Sequence, residues 1–517
     1  FLLSGNPVLS YNITLLLLWS LCGLTMYLCI REFVGHRWGA LLGATIWTLC
    51  PFRTDYYLEF QMQMCFAVPV IILYWYRFLR TQNLKQAVLA CVFLGIQALS
   101  SWSYAIMMSI YLPLFTLSYL CLRWRGWRIK KLLLLIPVFM IFGGAMFPFT
   151  RPYFRMRREL GMERRLSEAI PHSADILTYL ESGPVGMYHF SPTRHRAETS
   201  LFPGFVAILF FAMGCGYFFR READLAPSWS IRISRTIVAF GLLLALLHLV
   251  LRAVRFSETV QSVHTMHFST ASGWAFGFGL LLLLVRGWDK WRTRSADRDF
   301  SEKDVLGTFL FVCLVMVLMS FGPVVHVKRQ PIGHGFYYML YGLLFPLHAM
   351  RVATRFGGLA LFSMAFLSAL GAKWLHSTIG QRWRPIRTVA IVAFALAAVE
   401  YFPGKLKYEE FLWTHRPAVY DFIASQPGDF AVAEWPLGWR YEDGTFLLWS
   451  ISHHRRVLAG VSRWRGRMPP RTREISRTLS DLTKPEHTAD AMKELRAIYP
   501  TKYLIVHKRY LVMRRGM

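Results

Sequence analysis

Long apolar stretches dominate the sequence, and a membrane-spanning helix needs about 20 mostly apolar residues. Hydrophobic residues make up 54% of the 517 residues and charged residues only 17%, against about 25% charged residues in soluble domains. This balance excludes an ordinary soluble enzyme and predicts an α-helical transmembrane bundle of about twelve helices. The twelve apolar segments are 8–30, 38–50, 62–76, 86–101, 104–122, 132–149, 201–219, 236–254, 271–285, 305–325, 357–374 and 388–401.

Basic residues divide unequally between the two alternating sets of connecting loops. The loops after odd-numbered segments contain 24 Lys and Arg residues, whereas the opposite short loops contain seven. Because short loops rich in Lys and Arg stay in the cytoplasm, we predict that the first set is cytoplasmic. The long segments 150–200 and 404–517 are then external. Topology accounts for much of the net charge of +29, so nucleic acid is not a predicted partner.

The chain changes character after Pro403, where the long apolar runs stop. Short helical patterns at 417–425, 445–452 and 489–498 alternate with strand patterns at 430–435, 456–461 and 503–506. Such alternation is typical of a small α/β domain. We therefore predict a polytopic transmembrane domain at 1–403, with a large external loop at 150–200, and an extracytoplasmic α/β domain at 404–517.

Two further features concern the chain ends and the cysteines. An even number of crossings puts both ends outside and the first residue is Phe1, so we expect an earlier helix and most of an external loop to precede it. A miscounted second segment, which is short and ends at Pro51, is the alternative. The eight cysteines lie in or beside apolar runs, and we interpret them as small hydrophobic side chains of the bundle.

The short external loop at 51–61 contains two carboxylates. Asp55 and Glu59 are four residues apart, so they share one face if the segment is helical. Tyr56 and Tyr57 lie between them. Carboxylates beside aromatic rings suit a sugar ring or a metal ion, and an interfacial aromatic belt is the alternative interpretation.

The long loop at 150–200 is too long to be only a connector. Its first residues, including Arg151 and Arg155, have the spacing of a basic amphipathic helix on the membrane surface, which would bind anionic lipid headgroups or a lipid-linked phosphate. His172, Asp175 and Glu198 follow. These side chains could serve as a general base or hold a divalent cation, or they could simply be solvated.

A later external loop ends with Arg351 and Arg355, four residues apart at the outer start of the next segment. Two guanidinium groups there could hold a pyrophosphate. Anchoring of the helix end at the membrane interface explains the same residues equally well.

Several short stretches, taken in order, resemble a bacterial family of GT-C type polytopic membrane glycosyltransferases over nearly the whole chain. They are GNPVLSYN (5–12), PFR (51–53), SADIL (173–177), LFPG (201–204) after Glu198, GPV (322–324), RVATRF (351–356), EWPLG (434–438) and YLIVH (503–507).

This resemblance implies transfer of a sugar from a polyprenyl-phosphate donor at the outer face of the bacterial cytoplasmic membrane. In that family an acidic residue of the first external loop acts as base or metal ligand, and later basic residues hold the donor phosphate. Because that first loop would precede Phe1, the remaining acidic candidates are Asp55, Glu59, Asp175 and Glu198. The candidate substrate ligands are Arg351, Arg355, Arg151, Arg155 and His172.

Two alternatives to a transferase remain open. A transporter or flippase for an anionic lipid-linked substrate would carry ionisable residues at helix centres, where His248 is the clearest example. A catalytically inactive, GT-C-like assembly protein would use its external domain to bind a partner. The identities of the sugar and of any metal stay open, with a divalent cation as the one cofactor considered.

Overall fold

The computed structural model describes residues 5–57, 59–123, 135–160, 166–182, 200–223, 302–379, 386–402, 416–435, 442–457 and 485–507. These residues are mostly helical and include two small sheets. The chain divides into two compact units. One comprises Tyr11–Pro152 and Glu163–Lys407, and the other comprises Phe1–Ser10, Tyr153–Met162 and Tyr408–Met517.

Helices form nearly all of the described structure up to residue 402. They are α1 (Pro7–Val34), α2 (Arg37–Leu49), α3 (Pro51–Asp55), α4 (Phe60–Gln63), α5 (Ala67–Thr81), α6 (Leu84–Ser100), α7 (Trp102–Arg123), α8 (Leu135–Leu160), α9 (Leu166–Ala169), α10 (Phe205–Ala223), α11 (Glu302–Ser320), α12 (Phe336–Tyr341), α13 (Arg355–Ile379) and α14 (Ile386–Glu400). Ten of the twelve predicted segments coincide with these helices, and the segments 236–254 and 271–285 lie outside the described residues.

Five stretches of described helix are long and apolar enough to cross a membrane, namely Pro7–Val34, Phe60–Thr81, Trp102–Cys121, Leu135–Arg155 and Arg355–Thr378. Three of them expose large apolar side chains, such as Leu16 on α1, Leu117 on α7 and Ile141 on α8. Exposed apolar side chains in such long helices are suited to contact with lipid. The described fold is therefore mostly helical with five candidate membrane-spanning helices, and the twelve predicted crossings stay a prediction.

The helix α13 lies at the centre of the bundle, and glycines bring two neighbouring helices close to it. A Cβ atom on Gly39 or Gly43 of α2 would lie 2.5 or 2.6 Å from a backbone oxygen of α13. A Cβ atom on Gly371 of α13 would lie 1.9 Å from a backbone oxygen of α10. Small residues at fixed spacing allow such close approach. This packing explains why α2 is buried along most of its length although it has only 13 residues.

Helix boundaries differ from the predictions at three places. The segment 62–76 is divided into α4 and α5 by a break around Cys65. Helix α8 continues through two prolines to Leu160, so Arg151 and Arg155 lie on its last turns and form no separate surface helix. Helix α11 ends at Ser320, where a glycine of positive φ and a proline follow; neither residue continues a helix readily.

A β-hairpin replaces the predicted end of α11. Its strands are β1 (Val324–Val327) and β2 (Gln330–His334), which pair antiparallel. The two turn residues, Lys328 and Arg329, have φ values of 46° and 67°. A two-residue turn of this type normally has Asn and Gly, so this turn is strained and needs support from its surroundings.

The second unit contains a small parallel sheet. Its described elements are α15 (Ala418–Ser425), β3 (Ala431–Trp435), α16 (Glu442–His453), β4 (Arg456–Val457), α17 (Pro485–Ile498) and β5 (Thr501–Val506). The strand order is β4-β3-β5, and β3 pairs parallel with both neighbours. Five of the six predicted elements after residue 403 are present with small shifts of their ends, and of the predicted strand 456–461 the described residues include only Arg456–Val457, which form β4. Helices packed against a parallel sheet form the expected α/β arrangement.

Candidate functional site

The short segment between α2 and α5 positions the first two candidate carboxylates. Pro51 occupies the first turn of α3, where a missing backbone N–H costs nothing, and Tyr56 follows the helix. Phe52 and Arg53 are buried, whereas Asp55 and Glu59 are only half-buried. The segment therefore anchors itself by its apolar and arginine side chains and leaves both carboxylates at the edge of the bundle.

Glu59 forms an ion pair with Arg355, which lies 296 residues further along the chain at the start of α13. The Glu59 Oε2 to Arg355 Nη2 distance is 3.2 Å, and the two side chains are 26% and 8% exposed. Arg355 also donates to Ser103 Oγ at 2.8 Å, and its guanidinium carbon lies 5.7 Å from the centre of the Tyr56 ring. Two separate parts of the sequence, residues 56–59 and Ser103, thus hold one nearly buried guanidinium group.

Asp55 has a different partner. Its Oδ2 accepts a hydrogen bond from Ser200 Oγ at 2.9 Å, and Ser200 is fully buried. Ser200 directly precedes the stretch 201–204, which enters α10. Glu400 at the end of α14 accepts hydrogen bonds from the first backbone N–H groups of α10, as expected for a carboxylate at a helix N-terminus. The stretch 201–204 is therefore firmly placed beside Asp55.

Asp175 supports the strained hairpin. One carboxylate oxygen accepts from Leu177 N at 2.9 Å and caps a short 3₁₀ helix, Ile176–Leu180. The other oxygen accepts from Arg329 N at 2.8 Å, in the hairpin turn. Asp175 also forms an isolated β-bridge with His326 of β1. Because both carboxylate oxygens bind backbone N–H groups and the residue is 6% exposed, its geometry is that of a positioning residue.

The chain around Asp175 is also attached to the bundle. Thr354 donates to the His172 carbonyl oxygen through its hydroxyl at 2.8 Å and through its backbone N–H at 3.2 Å. The Tyr179 hydroxyl and Ser320 Oγ are 2.9 Å apart, and burial raises the pKa of Tyr179, so this phenol stays neutral. The His172 side chain itself is half-buried, and only its backbone joins this described contact with Thr354.

The remaining candidates occupy different surroundings. Arg351 is half-buried and precedes the turn into α13. Arg151 and Arg155 are exposed on the last turns of α8. Glu198 lies outside the described residues. Of the nine candidates, the structure joins Glu59 and Arg355 directly, and it places Asp55, Asp175 and His172 in contacts with neighbouring loops.

Sequence reasoning did not select Ser103, Ser200, Thr354 or Arg329 as site residues. Ser200 directly precedes one stretch that carries the family resemblance and Thr354 lies within another, and that position is the one available signal for them. Ser103 is the second residue of α7 and has no distinguishing neighbour in the sequence. Arg329 contributes its backbone N–H, which no side-chain pattern encodes.

The candidate site combines the guanidinium group of Arg355 and the carboxylates of Glu59 and Asp55 with the hydroxyl groups of Ser103 and Ser200. Its guanidinium can bind a phosphate oxygen, and its half-buried carboxylates can accept a proton from a hydroxyl. Among the described residues there is no group of three or more His, Cys, Asp or Glu side chains that could hold a metal ion. The described carboxylates therefore do not form a ready-made cation site.

Comparisons with known proteins add nothing to this geometry. The chain matches no family model, no curated protein and no solved structure.

Proposed function

We propose that the chain is an integral membrane glycosyltransferase that transfers a sugar from a polyprenyl-phosphate donor at the outer face of a bacterial cytoplasmic membrane. The observation that carries the proposal is the contact between Glu59 and Arg355. These residues belong to two loops that we predict to be external from the distribution of Lys and Arg, which is independent of this contact. The segment 404–517 is proposed to be extracytoplasmic.

Charge and burial support the assigned roles. The Arg355 guanidinium is nearly buried and is already oriented by Ser103 and Tyr56, so it can bind a phosphate with little further ordering. A donor phosphate at Arg355 would compete with Glu59 for the guanidinium. The displaced Glu59 carboxylate would then lie within the same small region as the phosphate.

The proposed reaction uses these two groups in sequence. Glu59 or Asp55 accepts the proton of an acceptor hydroxyl as its oxygen attacks the anomeric carbon of the donor. The bond between that carbon and the phosphate oxygen breaks, and the polyprenyl phosphate leaves. Arg355, with Arg351 at the preceding turn, stabilises the charge that develops on the leaving phosphate.

The test uses the purified full chain in lipid nanodiscs with a panel of polyprenyl-phosphate hexoses, radiolabelled in the polyprenyl chain, and a panel of hydroxyl acceptors. Release of polyprenyl phosphate is followed by thin-layer chromatography. We expect release with at least one donor, and we expect Arg355→Gln and Glu59→Gln each to reduce the initial rate on the order of a hundredfold. Asp55→Asn resolves which carboxylate accepts the proton.

The matched control is the Arg77–Glu32 ion pair of α5 and α1. Its distance of 3.0 Å is similar, but both side chains are more than a third exposed. Arg77→Gln should leave the rate unchanged. A wild-type chain that is inert with every donor, or an Arg355→Gln variant as active as Arg77→Gln, would contradict the proposal. Donor movement across the bilayer without release would identify a transporter.

A further inference from the structure

Two cysteines from different helical segments face each other inside the bundle. Cys22 on α1 and Cys65 in the break between α4 and α5 have their sulfur atoms 3.6 Å apart, and neither residue is exposed. A disulfide requires about 2.05 Å between the sulfur atoms, so they would have to approach by roughly 1.5 Å. Cys65 lies outside the regular helices, where a small backbone movement is less costly than inside one.

The guanidinium of Arg53 lies beside this pair. Its Nη1 is 2.5 Å from Cys22 Sγ and its Nη2 is 3.1 Å from Gln63 Oε1. The Trp19 and Trp47 rings lie 5.9 Å from its guanidinium carbon. Arg53 is 1% exposed, and within the described part of the chain it makes no ion pair with a carboxylate.

This arrangement has the properties of a reactive thiol site. The thiolate is the nucleophilic form of cysteine, and an adjacent guanidinium group stabilises it. A buried positive charge without a carboxylate partner is costly, and an anionic sulfur at Cys22 would compensate it. A second thiol in contact with the first can then resolve an oxidised intermediate.

We propose that Cys22 and Cys65 are a redox modification site that closes to a disulfide when the protein meets a small hydroperoxide. Burial selects the oxidant, because large disulfide reagents cannot reach the sulfur atoms whereas hydrogen peroxide is close to water in size. This inference does not depend on the proposed transferase activity.

The reaction is balanced with one equivalent of hydrogen peroxide. The Cys22 thiolate attacks one peroxide oxygen, so that an S–O bond forms, the O–O bond breaks, and hydroxide leaves as water with the proton released by Cys22. The Cys65 sulfur then attacks the Cys22 sulfur of the sulfenic acid. The S–S bond forms, the S–O bond breaks, and the second water leaves with the Cys65 proton. Two electrons pass from the thiols to the peroxide.

The disulfide would affect the two short helices α3 and α4, whose residues Arg53 and Gln63 lie beside the cysteine pair. Arg53 belongs to α3, which leads to Asp55, and Gln63 belongs to α4, which follows Glu59. Oxidation would convert the Cys22 thiolate beside Arg53 into an uncharged disulfide sulfur. The disulfide would also connect α1 covalently to the break before α5. The redox state is therefore expected to alter the hydrogen bonding of Arg53 and Gln63.

The experiment exposes the full chain in nanodiscs to hydrogen peroxide, removes the peroxide with catalase, and labels the remaining thiols with N-ethylmaleimide in SDS. Proteolysis and mass spectrometry should then identify a cross-linked peptide pair containing Cys22 and Cys65, two hydrogen atoms lighter than the reduced pair. A thiol reductant should restore both thiols. Arg53→Gln should slow cross-linking on the order of tenfold, and Arg53→Lys should restore most of the rate.

Cys313 of α11 is the matched control, because it is also buried but has a backbone carbonyl oxygen 3.5 Å from its sulfur. It should stay fully labelled, and Cys313→Ser should not affect the cross-link. If wild-type Cys22 and Cys65 are labelled to the same extent as Cys313 after peroxide treatment, the proposal is wrong. This result needs only the wild-type chain, so misfolding of a variant cannot obscure it.

Discussion

A double-mutant cycle on Glu59 and Arg355 measures how strongly the candidate site depends on its ion pair. The variants are Glu59→Gln, Arg355→Gln and the combination of both. Arg355→Gln also removes the hydrogen bond to Ser103, but the cycle cancels that loss because it occurs in the single and the double variant alike. What remains is the coupling free energy between the two charges.

The structure provides the expected magnitude. At a separation of 3.2 Å, two unit charges attract by about 5 kcal/mol with an effective dielectric constant of about 20. Loss of hydration of the nearly buried guanidinium and ordering of both side chains offset more than half of this attraction. We therefore expect a coupling free energy of about 1.5–2.5 kcal/mol. The exposed Glu32–Arg77 pair should give only about 0.2–1 kcal/mol in the same type of cycle.

Unfolding of the purified variants in mixed micelles, followed by tryptophan fluorescence as the SDS fraction increases, measures these free energies. Both cycles should be run at two salt concentrations. The coupling of the exposed pair should fall at high salt, while that of Glu59 and Arg355 should fall less. A coupling free energy for Glu59 and Arg355 no larger than that of the exposed pair would refute the reasoning, because burial would then have no effect on the pair.

Three further predictions concern stability. Glu400→Gln keeps one acceptor for the N-terminus of α10 but loses the charge, and should lower the free energy of unfolding by about 1–2 kcal/mol in the same micelle assay. His36 caps α2 by accepting from Gly39 N at 3.0 Å, and burial with nearby positive groups lowers its pKa from 6.5 to about 4. Between these pH values the unfolded chain therefore binds a proton that the folded chain does not, so the free energy of unfolding should fall as the pH falls from about 6.5 to 4. His36→Asn should flatten this pH dependence. An unchanged slope of the free energy of unfolding against pH would contradict its assignment to His36. Asp175→Asn would direct an N–H₂ group towards Arg329 N and remove the hydrogen bond that holds the hairpin turn. Trypsin should therefore cut this exposed turn several-fold faster than in the wild type. Equal cleavage rates would show that the carboxylate does not hold the turn.

The apolar segments of the sequence predicted the helices well because their signal is local. A run of apolar residues identifies a helix of the bundle whatever its neighbours are. The same holds after residue 403, where each short pattern corresponds to an observed helix or strand. Breaks depended on less visible features. The interruption at Cys65 separates two apolar helices, and Pro69 in the first turn of α5 has no backbone N–H to donate to the carbonyl oxygen of Cys65 four residues earlier. The hairpin turn at Lys328 and Arg329 lacks the usual turn residues.

The candidate site was predictable only in part. The charged positions of the loops predicted to be external were apparent, but Ser103 and Ser200 were not, since a serine at a helix start or in a loop is common. The sequence also offered no reason to prefer one of Asp55, Glu59 and Asp175 as the catalytic carboxylate. The structure distinguishes them, because Asp175 has both oxygens on backbone N–H groups whereas Glu59 faces a guanidinium.

The sequence by itself determined the class of this protein, which is a helical membrane protein followed by an alternating α/β segment. Apolar length and periodicity are properties of consecutive residues, and they suffice for that conclusion. The tertiary structure alone decided which distant residues meet. Three sets of contacts depend on how each helix is rotated and on how closely its neighbours approach α13. They are the contacts of Glu59 with Arg355, of Asp175 with Arg329, and of Cys22 with Cys65 and Arg53. The rotation and the approach of the helices are set by packing across the whole bundle, where the glycines of α2 and α13 allow close contact.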